Sequence, residues 1–337
     1  MTTKLGKSLA HGLPFSSFLT DTFGRQHNYL RISLTERCNL RCVYCMPENG
    51  VRLQPSSEML STSEVITLSR LFVSEGVKKI RYTGGEPTVR KDLLHIVRTT
   101  GEMGVPEICV TSNGLTLHRS LEELQRAGLT GVNLSLDTLE PGMFELITRR
   151  KGLSAVLKSL ETSLALGIKT KLNVVVLPQN FGEVHNFVEL TKDKNLEVRF
   201  IEYMPFDGNR WSREKLVTYQ QLKTHIQEKY NLVPLPHSDT AKVFHIPGHR
   251  GTVGFITSMT HNFCAGCNRL RITADGNLKV CLFDNKEVSL RDLMRRGAGE
   301  AELLGIIQAA VRNKKKEHGD MEDIKREGGR PMILIGG

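Results

Sequence analysis

Three cysteines within eight residues are the side chains of this sequence best suited to hold a reactive metal centre. Cys38, Cys42 and Cys45 follow the spacing C-x3-C-x2-C, directly after a predicted strand. Thiolates are soft ligands that select zinc, copper(I) or iron–sulfur clusters. Three thiolates underfill a tetrahedral zinc site, whereas they can hold a 4Fe-4S cube and leave one iron open to a further ligand. The spacing therefore favours an iron–sulfur cluster, and zinc with a distant fourth ligand is the alternative.

A second group of three cysteines lies in the C-terminal part of the chain. Cys264, Cys267 and Cys281 follow the spacing C-x2-C-x13-C. His261 lies three residues before Cys264, so these four side chains could also form a Cys3His zinc site. From the spacing alone, zinc and a second cluster are equally favoured.

The long gap in the second group is explained by a predicted β-hairpin. The Asp275-Gly276 pair lies between two alternating segments, which is a strong signal for a two-residue turn. Such a turn would place Cys281 opposite Leu270, close to the other two cysteines. Period-two alternation puts Arg269 and Arg271 on the same face of the hairpin. Two guanidinium groups beside a metal centre indicate a phosphate or another planar anion as their target.

The composition narrows the class of protein and of partner. The chain carries 46 basic and 36 acidic residues, and the net charge of +10 favours anionic partners such as nucleic acid, a membrane surface or a phosphorylated small molecule. No apolar run approaches the roughly 18 residues that cross a bilayer, so a soluble protein is expected. The cysteines lie in a long chain without a secretory signal, which favours metal binding over disulfides and predicts a reducing compartment.

Between residues 29 and 204, short β-like runs alternate with amphipathic helices. The helical segments include a capping box at Ser61–Glu64 and an apolar stripe over 153–164 that Gly167 is placed to end. Six strands, each followed by a helix, predict an α/β fold with a parallel sheet, and six repeats are fewer than the eight of a closed barrel. We therefore expect a partial (β/α)6 TIM-like barrel and a smaller, partly antiparallel C-terminal module that carries the second cysteine group. The six candidate strands are Tyr29–Ser33, Lys78–Thr83, Glu107–Thr111, Val132–Leu136, Ile168–Val176 and Leu196–Ile201.

Five of the six candidate strands alternate polar and apolar residues, although strands buried on both faces should be almost continuously apolar. The sheet is therefore predicted to have one polar face. Its residues are Arg31, Ser33, Lys79, Arg81, Thr83, Thr111, Asn113, Asn133, Ser135, Asp137, Lys169, Lys171 and Asn173. An inner wall of hydroxyls, amides and cations suits a hollow barrel that encloses a polar, anionic ligand near the C-terminal strand ends. A sheet with one solvent-exposed face is the alternative.

Changes in pattern divide the chain into three predicted parts. Residues 1–26 form an N-terminal arm, 27–235 the barrel and 236–337 the C-terminal module, because the strand–helix rhythm ends after Asp207 and several prolines follow. Cys109 is expected to be a packed core thiol, and Lys314-Lys315-Lys316 a solvated helix face.

The first cysteine group resembles the C-x3-C-x-aromatic-C motif of radical S-adenosylmethionine (SAM) enzymes, with Tyr44 as the aromatic residue. The run Gly84-Gly85-Glu86-Pro87, at the end of the second predicted strand, is similar to the motif by which these enzymes bind the ammonium group of SAM. Glycines allow close backbone approach, and Glu86 supplies an acceptor for a cation. The resemblance implies a 4Fe-4S cluster whose open iron chelates the methionine part of SAM.

The two cysteine groups together resemble those of the GTP 3',8-cyclases of molybdenum cofactor biosynthesis. The family's run Cys-Asn-Arg-Leu-Arg-Ile-Thr-x-Asp-Gly is present from Cys267 to Gly276, and the resemblance extends from about Phe15 to the terminal Gly336-Gly337. It implies two 4Fe-4S clusters and the conversion of GTP to (8S)-3',8-cyclo-7,8-dihydroguanosine 5'-triphosphate. In this family a 5'-deoxyadenosyl radical takes the 3' hydrogen of GTP, and the second cluster binds the guanine through its open iron.

The resemblance also implies roles for individual residues, carried over by motif position. The cluster ligands would be Cys38, Cys42 and Cys45 for the first cluster, and Cys264, Cys267 and Cys281 for the second. The contacts with SAM would be Tyr44, Gly84, Gly85, Glu86, Ser135 and Met204. The contacts with GTP would be Arg31, Arg81, Thr111, Lys171, Arg269 and Arg271. The catalytic residues would be Arg269, Arg271, Gly336 and Gly337, the last two because a tail without side chains can enter a narrow site.

Partners and location follow from the same resemblance. It implies an external electron donor, a homodimer, and a downstream cyclic pyranopterin monophosphate synthase that takes the product, with neither membrane nor nucleic acid as a partner. The N-terminal segment is similar to the animal form, which implies the mitochondrial matrix for a eukaryotic source and the cytoplasm otherwise.

Two other functions compete with this reading. A radical enzyme that modifies a peptide would also carry an auxiliary cluster, although such modules usually hold more cysteines than three. A zinc-dependent nucleic-acid-binding protein would account for the positive charge and for the possible Cys3His site. Iron and sulfide content after anaerobic reconstitution distinguishes the enzymes from the zinc protein.

Overall fold

A twelve-stranded sheet runs through the part of the chain that the computed structural model describes, residues 15–47, 49–236, 240–327 and 329–336. The strands are β1 Tyr29–Ser33, β2 Lys79–Thr83, β3 Glu107–Ser112, β4 Gly131–Ser135, β5 Lys169–Val176, β6 Leu196–Glu202, β7 Val233–Pro234, β8 Lys242–His245, β9 Thr252–Ile256, β10 Arg269–Ile272, β11 Asn277–Lys279 and β12 Val288–Ser289. Their order across the sheet is β12-β11-β10-β1-β2-β3-β4-β5-β6-β9-β8-β7.

Strands β1 to β6 are parallel and lie in chain order, as the sequence predicts. Each of the first five is followed by helix before the next strand begins, which is the connection that parallel strands require. The α/β class is therefore confirmed, whereas closure of the sheet into a partial barrel stays a prediction. The helices are α1 Thr62–Ser74, α2 Leu93–Glu102, α3 Leu121–Arg126, α4 Pro141–Thr148, α5 Leu153–Ala165, α6 Val184–Asp193, α7 Tyr219–Gln227, α8 Leu290–Arg295, α9 Glu300–Arg312 and α10 Met321–Glu327.

The helices cover one face of the sheet, and local sequence signals set their ends. Leu30 and Ile32 of β1 belong to the same buried apolar cluster as Leu68 of α1. The predicted capping box is present, because Ser61 Oγ accepts from the Glu64 amide at 3.2 Å and the Glu64 carboxylate accepts from the Ser61 amide at 2.8 Å. Gly167 follows α5 with a φ of 68°, the left-handed conformation that ends many helices.

Strands from the C-terminal part of the chain extend the sheet at both edges. β9 pairs in parallel with β6, and β8 and β7 continue antiparallel beyond it. β10 pairs in parallel with β1, and β11 and β12 follow antiparallel. The C-terminal strands thus share one sheet with the parallel strands, and the predicted division at residue 236 stays a prediction.

The β10–β11 hairpin has a three-residue loop and not the predicted two-residue turn. Arg271 pairs with Lys279. Two hydrogen bonds close the loop: the Thr273 amide donates to the Asn277 carbonyl at 2.9 Å, and the Asn277 amide donates to Thr273 Oγ1 at 2.9 Å. Gly276 has a φ of 81°, so it provides the left-handed residue that a three-residue loop needs. The register is therefore shifted by one residue, and continuing it places Cys281 level with Arg269 instead of Leu270.

None of the helices in the described part of the chain is both long enough and apolar enough to span a membrane.

Candidate active site

The register brings the predicted polar residues of neighbouring strands side by side. Arg31 of β1 pairs with Arg271 of β10 on one side and with Arg81 of β2 on the other. One layer along, Thr111 pairs with Asn133, which pairs in turn with Lys171. These residues alternate with the apolar ones that face the helices, so they share the opposite face of the sheet. Most of the GTP contacts implied by the resemblance therefore lie on one continuous surface.

The cations on this face are crowded and removed from water. Burial, followed by the charge of Arg271, lowers the pKa of Arg31 well below its usual value. Burial, followed by the charge of Arg269, lowers the pKa of Arg271 to about 10. The ring of Tyr29 lies under three further cations: Lys79 Nζ at 5.2 Å, and the guanidinium carbons of Arg81 and Arg269 at 5.3 and 5.4 Å from its centroid. An anion bound here would relieve both desolvation and mutual repulsion.

Several buried polar atoms on the same face make no hydrogen bond within the described part of the chain. They are Ser33 Oγ, Thr83 Oγ1, Thr111 Oγ1, Asn133 Nδ2, Asn173 Oδ1, Arg81 Nε and Arg271 Nη1. A buried polar group without a partner costs about 1–3 kcal/mol, so an arrangement of this kind persists where a ligand supplies the partners. Five of the seven belong to the adjacent strands β1, β2, β3 and β4, in the middle of the sheet.

Lys171 lies at the edge of the cationic surface, beside the carboxylate of Glu197. Its Nζ lies 3.0 Å from Glu197 Oε2, and Glu197 Oε1 also binds Arg199 Nε at 2.5 Å. Burial, and then the charge of Arg199, lowers the pKa of Lys171 to about 8. Arg199 lies on the polar face of the sixth strand, which the sequence analysis left out of that face. The alternation of Glu197 and Arg199 was the available signal.

The first cysteine group, which we call the first triad, lies in the loop after β1. Burial raises the pKa of all three thiols, and neighbouring thiolates raise those of Cys42 and Cys45 further, with Cys45 reaching about 12. The three thiols therefore influence one another electrostatically. The loop is held by the end of α4, because the amides of Arg41 and Val43 donate to the carbonyls of Thr148 at 2.9 Å and Ile147 at 3.0 Å.

The Gly84-Gly85 pair allows the chain after β2 to pack against the cysteine loop. A Cβ at Gly84 would lie 2.7 Å from the carbonyl oxygen of Thr35, and one at Gly85 only 2.5 Å from that of Arg37. The Gly85 amide donates to the Thr35 carbonyl at 2.7 Å. Only glycine fits this approach, so the run that the sequence singled out is needed locally to bring the two loops together.

The Glu86 carboxylate is fully buried and already accepts four hydrogen bonds from the chain. Thr88 donates from its amide at 3.0 Å and its hydroxyl at 2.7 Å, Ser112 from its hydroxyl at 2.8 Å, and Asn113 from its amide at 2.7 Å. Burial is the first influence on the pKa of Glu86 and raises it. The side chain therefore ties the loops after β2 and β3 together, and its acceptance of a bond from an ammonium group stays a prediction.

The other residues assigned to SAM lie along the same end of the sheet. Tyr44 donates its hydroxyl to Asp137 Oδ2 at 2.7 Å, and burial raises the pKa of Asp137 to about 6. Met204 follows β6 and packs in a small apolar cluster with Tyr44 and Cys42. Ser135 ends β4. Tyr44, Met204 and Ser135 thus gather at the C-terminal strand ends, together with the first triad.

The second cysteine group, the second triad, lies at the other end of the polar face. Cys267 lies two residues before β10, which runs parallel to β1, so this triad is near the N-terminal ends of the strands. The thiolates of Cys267 and Cys264 raise the pKa of Cys281, in addition to the effect of burial. The two triads therefore lie at opposite ends of β1. Between them lie Arg271, Arg31 and Arg81, side by side on neighbouring strands, which we call the arginine row.

Lys314 corrects the expectation that the 314–316 run is a solvated helix face. Its side chain is buried, and its Nζ lies 3.3 Å from Cys267 Sγ and 3.1 Å from the carbonyl oxygen of Arg269. The prediction failed for this lysine because α9 ends at Arg312, so the following residues turn towards the second triad. Lys315 and Lys316 are exposed, as expected.

Cys109 is buried, as predicted, but outside the apolar cluster. It pairs with Arg81 and with Gly131 in the sheet, so it lies on the polar face. A Cβ at Gly131 would be 3.0 Å from the Cys109 sulfur. The sequence analysis missed this because Ile108 and Val110 on either side made the segment look uniformly apolar.

The sulfurs of each triad are spaced more widely than the ligands of a single bound zinc ion. A tetrahedral zinc with Zn–S bonds of about 2.3 Å brings its thiolates to about 3.8 Å from one another. Within the described ranges, the group of three ligating side chains whose ligand atoms all lie within 4.8 Å of one another is His185, His225 and Glu228, and neither triad meets that spacing. A 4Fe-4S cube is ligated at separate corners and fits more widely spaced sulfurs.

The C-terminal tail reaches the polar face. Arg31 Nη2 donates to the Gly336 carbonyl at 3.0 Å, and a Cβ at Gly336 would lie 2.6 Å from Thr83 Oγ1 and 2.9 Å from Ser33 Cβ. Arg330 anchors the tail by binding Asp275 Oδ2 at 2.7 Å and Glu287 Oε2 at 3.0 Å. Gly337 lies outside the described residues, so its predicted role is carried by the sequence alone.

Comparison with known proteins identifies the family of this chain. A family model described as the Radical SAM superfamily matches residues 32–191, and one described as Molybdenum Cofactor Synthesis C matches residues 196–320. A GTP 3',8-cyclase of Moorella thermoacetica is 43% identical over 325 residues, which are 95% of this chain and 100% of the relative. The chain belongs to the GTP 3',8-cyclase family. The mitochondrial GTP 3',8-cyclase of Arabidopsis thaliana is 53% identical, covering 96% of this chain and 85% of the relative.

Longer relatives and solved structures complete this comparison. Molybdenum cofactor biosynthesis protein 1 of Mus musculus is 57% identical over 97% of this chain, and the chain spans about half of that relative, 52%. Among solved structures, Streptococcus suis SuiB bound to its precursor peptide SuiA has a TM-score of 0.58 at 15% identity, covering 93% of this chain and 77% of that one. At that identity the likeness is one of fold alone.

Proposed function

We propose that this protein is a radical SAM lyase that converts GTP to (8S)-3',8-cyclo-7,8-dihydroguanosine 5'-triphosphate, the first step of molybdenum cofactor biosynthesis. The 3' hydrogen of GTP is taken by a 5'-deoxyadenosyl radical, and the resulting C3' radical then adds to C8 of guanine. One electron from the external donor and one proton convert the nitrogen radical left on the base to the 7,8-dihydro product. The observation that carries the proposal is a polar face between two three-thiol sites, on which arginines lie side by side and the buried polar atoms of Ser33, Thr83, Thr111 and Asn133 have no partner within the described residues.

The two triads fit 4Fe-4S clusters that each keep one open iron. Each supplies three cysteines, the number that can hold a 4Fe-4S cube and leave one iron open. When bound, the first cluster supplies the electron that cleaves SAM, and the second supplies an iron that holds the guanine base. The protein's own residues bind the substrates, orient them and exclude water.

The first triad and its neighbours are proposed to bind SAM. The Gly84-Gly85 backbone lies beside the cysteine loop and presents carbonyl oxygens to the ammonium group, with Glu86 fixing the loop. Tyr44 and Met204 pack beside the triad and are placed to contact the remainder of SAM, and Ser135 is at the same strand ends. A partial (β/α)6 barrel would give this site walls on more than one side.

The arginine row is proposed to bind GTP. A triphosphate carries about four negative charges, which Arg31, Arg81, Lys171 and Arg271 can neutralise with charge-assisted hydrogen bonds. The planar forks of Arg269 and Arg271 suit phosphate or guanine edges, and Thr111 offers a hydroxyl for the sugar. The net charge of +10 is thereby accounted for without nucleic acid.

The catalytic residues in this proposal are Arg269, Arg271, Gly336 and Gly337. The arginines hold the nucleotide between the two triads, so that the ribose faces the SAM end. Gly336 contributes its backbone at Arg31, Ser33 and Thr83, where no larger residue fits. Water is kept from the radical because the tail covers this part of the polar face.

Partners and location are proposed from family membership. An external donor supplies electrons, a cyclic pyranopterin monophosphate synthase consumes the product, and the protein acts as a homodimer with residues 1–26 as an arm. The mitochondrial name of the Arabidopsis relative supports the matrix for a eukaryotic source.

Anaerobic reconstitution followed by nucleotide turnover tests this proposal. The protein should bind iron and sulfide for two 4Fe-4S clusters and, with SAM and a reductant, form 5'-deoxyadenosine together with loss of GTP. ATP, CTP and UTP serve as matched substrates of similar charge and should give little turnover. Stoichiometric zinc without iron, or turnover with ATP and none with GTP, would refute the assignment.

A further inference from the structure

Lys314 places a buried ammonium group against a sulfur of the second triad. The side chain is 5% exposed, and its Nζ donates to Cys267 Sγ at 3.3 Å and to the Arg269 carbonyl at 3.1 Å. Burying an ammonium group is costly unless it is paired with negative charge. The group that can carry negative charge against this ammonium is the thiolate of Cys267, whose sulfur accepts the hydrogen bond from Lys314 Nζ.

The surrounding chain fixes Lys314 in this position. Arg25 donates to the carbonyls of Cys264, Lys315 and Lys316, each at 2.8 Å, and so ties the segment after α9 to the cysteine loop. Asp21 holds the Arg25 guanidinium from the other side at 2.6 Å. The lysine is thus part of a built contact and is not an exposed side chain that happens to reach a sulfur.

Other groups near Lys314 do not supply the same interaction. Arg25 lies on the backbone side of Cys264, and burial lowers the pKa of His27 to about 3, so that ring is neutral. Arg269 directs its guanidinium towards Tyr29, Phe263 and Thr240. At the first triad, Cys38 Sγ accepts from neutral donors, the Leu40 amide and Asn113 Nδ2.

We propose that Lys314 is a positioning residue that raises the reduction potential of the metal centre held by the second triad. The inference rests on the proposed function, in which that centre is a 4Fe-4S cluster. Net charge and hydrogen bonds to the sulfurs set the potentials of such clusters, and a cation stabilises the more negative, reduced form. Loss of the ammonium group should make the second centre harder to reduce and leave the first unchanged.

The test compares Lys314→Met, Lys314→Gln and Lys314→Arg with the exposed control Lys315→Met. Each is made in the otherwise unchanged chain and in a chain with Cys38, Cys42 and Cys45 changed to alanine, which isolates the second centre. Iron and sulfide are counted after anaerobic reconstitution, and reduction by dithionite is followed by electron paramagnetic resonance at fixed potentials. In Lys314→Met, the ratio of reduced to oxidised second centre should fall at least tenfold, about 59 mV for a one-electron couple.

The outcomes separate this proposal from the proposed function. Lys314→Arg and Lys315→Met should keep the wild-type reduction potential of the second centre. The potential of Lys314→Gln should lie between those of Lys314→Met and the wild type, because glutamine retains a hydrogen-bond donor without the charge. An unchanged potential in both the Met and Gln variants at normal iron content overturns the role of Lys314. Loss of the second centre in both variants also overturns it, because Lys314 would then be needed for assembly. Absence of a second centre from the wild type would instead refute the proposed function.

Discussion

At the scale of single residues, the site is dominated by cations held out of water. Arg31 and Arg271 lie side by side on the neighbouring strands β1 and β10. Burial and neighbouring positive charge lower the pKa of both. Such an arrangement is unfavourable in the free protein, so it gives an anionic ligand a large differential gain on binding. The strength of binding should therefore depend on which of these groups is charged.

GTP affinity should depend on pH through Lys171. Its pKa is lowered to about 8, so the side chain is charged below pH 8 and becomes neutral above it in the free protein. A bound triphosphate favours the charged form, and the Kd for GTP should therefore rise up to about fivefold between pH 8 and 9, because the charged fraction of Lys171 falls from about one half to about one tenth. Equilibrium dialysis under anaerobic conditions measures this, with Lys171→Arg as the control that stays charged. A wild-type profile as flat as that of the variant would contradict the assignment.

Arg271→Lys should weaken GTP binding although the charge is retained. Lysine offers a point charge without the planar fork that a phosphate or base edge can accept in pairs. We expect at least about a tenfold rise in the Kd for GTP, or about 1.4 kcal/mol. Arg296→Lys, on the surface where the guanidinium pairs with Glu302, is the matched control. Equal affinities in the two variants would remove Arg271 from the binding site.

The residue types at these positions could be predicted from the sequence, but some of their partners could not. Arg31, Arg81 and Lys171 follow from period-two alternation. Lys314 does not, because its contact with Cys267 joins segments 47 residues apart through a turn after α9. The four donors to Glu86 were also hidden, since two of them come from the strand end at Ser112 and Asn113.

At the scale of elements, loops at the C-terminal strand ends have to approach one another closely. The loop after β2 packs on the cysteine loop after β1, and the end of α4 binds that loop through two backbone hydrogen bonds. The packing tolerates no side chain at position 85. The geometry of the first triad therefore depends on a neighbouring element as well as on its own spacing.

Gly85→Ala should impair SAM binding by separating these loops. The added Cβ would lie 2.5 Å from the Arg37 carbonyl oxygen, and forcing it in should cost about 1–3 kcal/mol of stability. Denaturant unfolding and the yield of 5'-deoxyadenosine measure the two effects. Gly182→Ala is the control, because a Cβ there meets nothing within 4 Å. Wild-type yield in Gly85→Ala would show that the close approach is not needed.

The bounds of the strands could be predicted from the sequence, whereas the turn and register of the β10–β11 hairpin could not. All six parallel strands lie within one or two residues of the predicted bounds, because each has a clear polar–apolar alternation or apolar run. The hairpin register was wrong by one residue, since Thr273 and Asn277 close a wider loop than an Asp-Gly pair alone implies. A single hydrogen bond between a hydroxyl and an amide produces no repeating pattern in the sequence from which it could be predicted.

At the scale of the whole molecule, segments far apart in the sequence meet at the polar face. β10 from the C-terminal part pairs directly with β1, and the tail returns to place Gly336 over Ser33 and Thr83. Neither pairing could be read from spacing, because both join segments more than two hundred residues apart. The sequence indicated the two triads separately, and the sheet places one at each end of β1.

Deleting Gly336 and Gly337 should abolish cyclisation while iron and sulfide content stay at the wild-type level. Weakening the anchor by Arg330→Gln should give a partial loss, because the tail remains but its ties to Asp275 and Glu287 are reduced. The control is Arg326→Gln, an exposed arginine on α10 that pairs with Asp323. Product formation is followed with saturating SAM and GTP. A fully active truncated protein would refute the role of the tail.

The central claim is that the molecule brings the 3' hydrogen of GTP to a radical derived from SAM. Its most direct test is to incubate the reconstituted protein anaerobically with SAM, reductant and GTP carrying deuterium at C3', and to weigh the 5'-deoxyadenosine by mass spectrometry. We predict one deuterium in the 5'-deoxyadenosine, and none when the label is at another ribose carbon. 5'-Deoxyadenosine that forms without deuterium from C3', or equally well with ATP in place of GTP, would contradict this account.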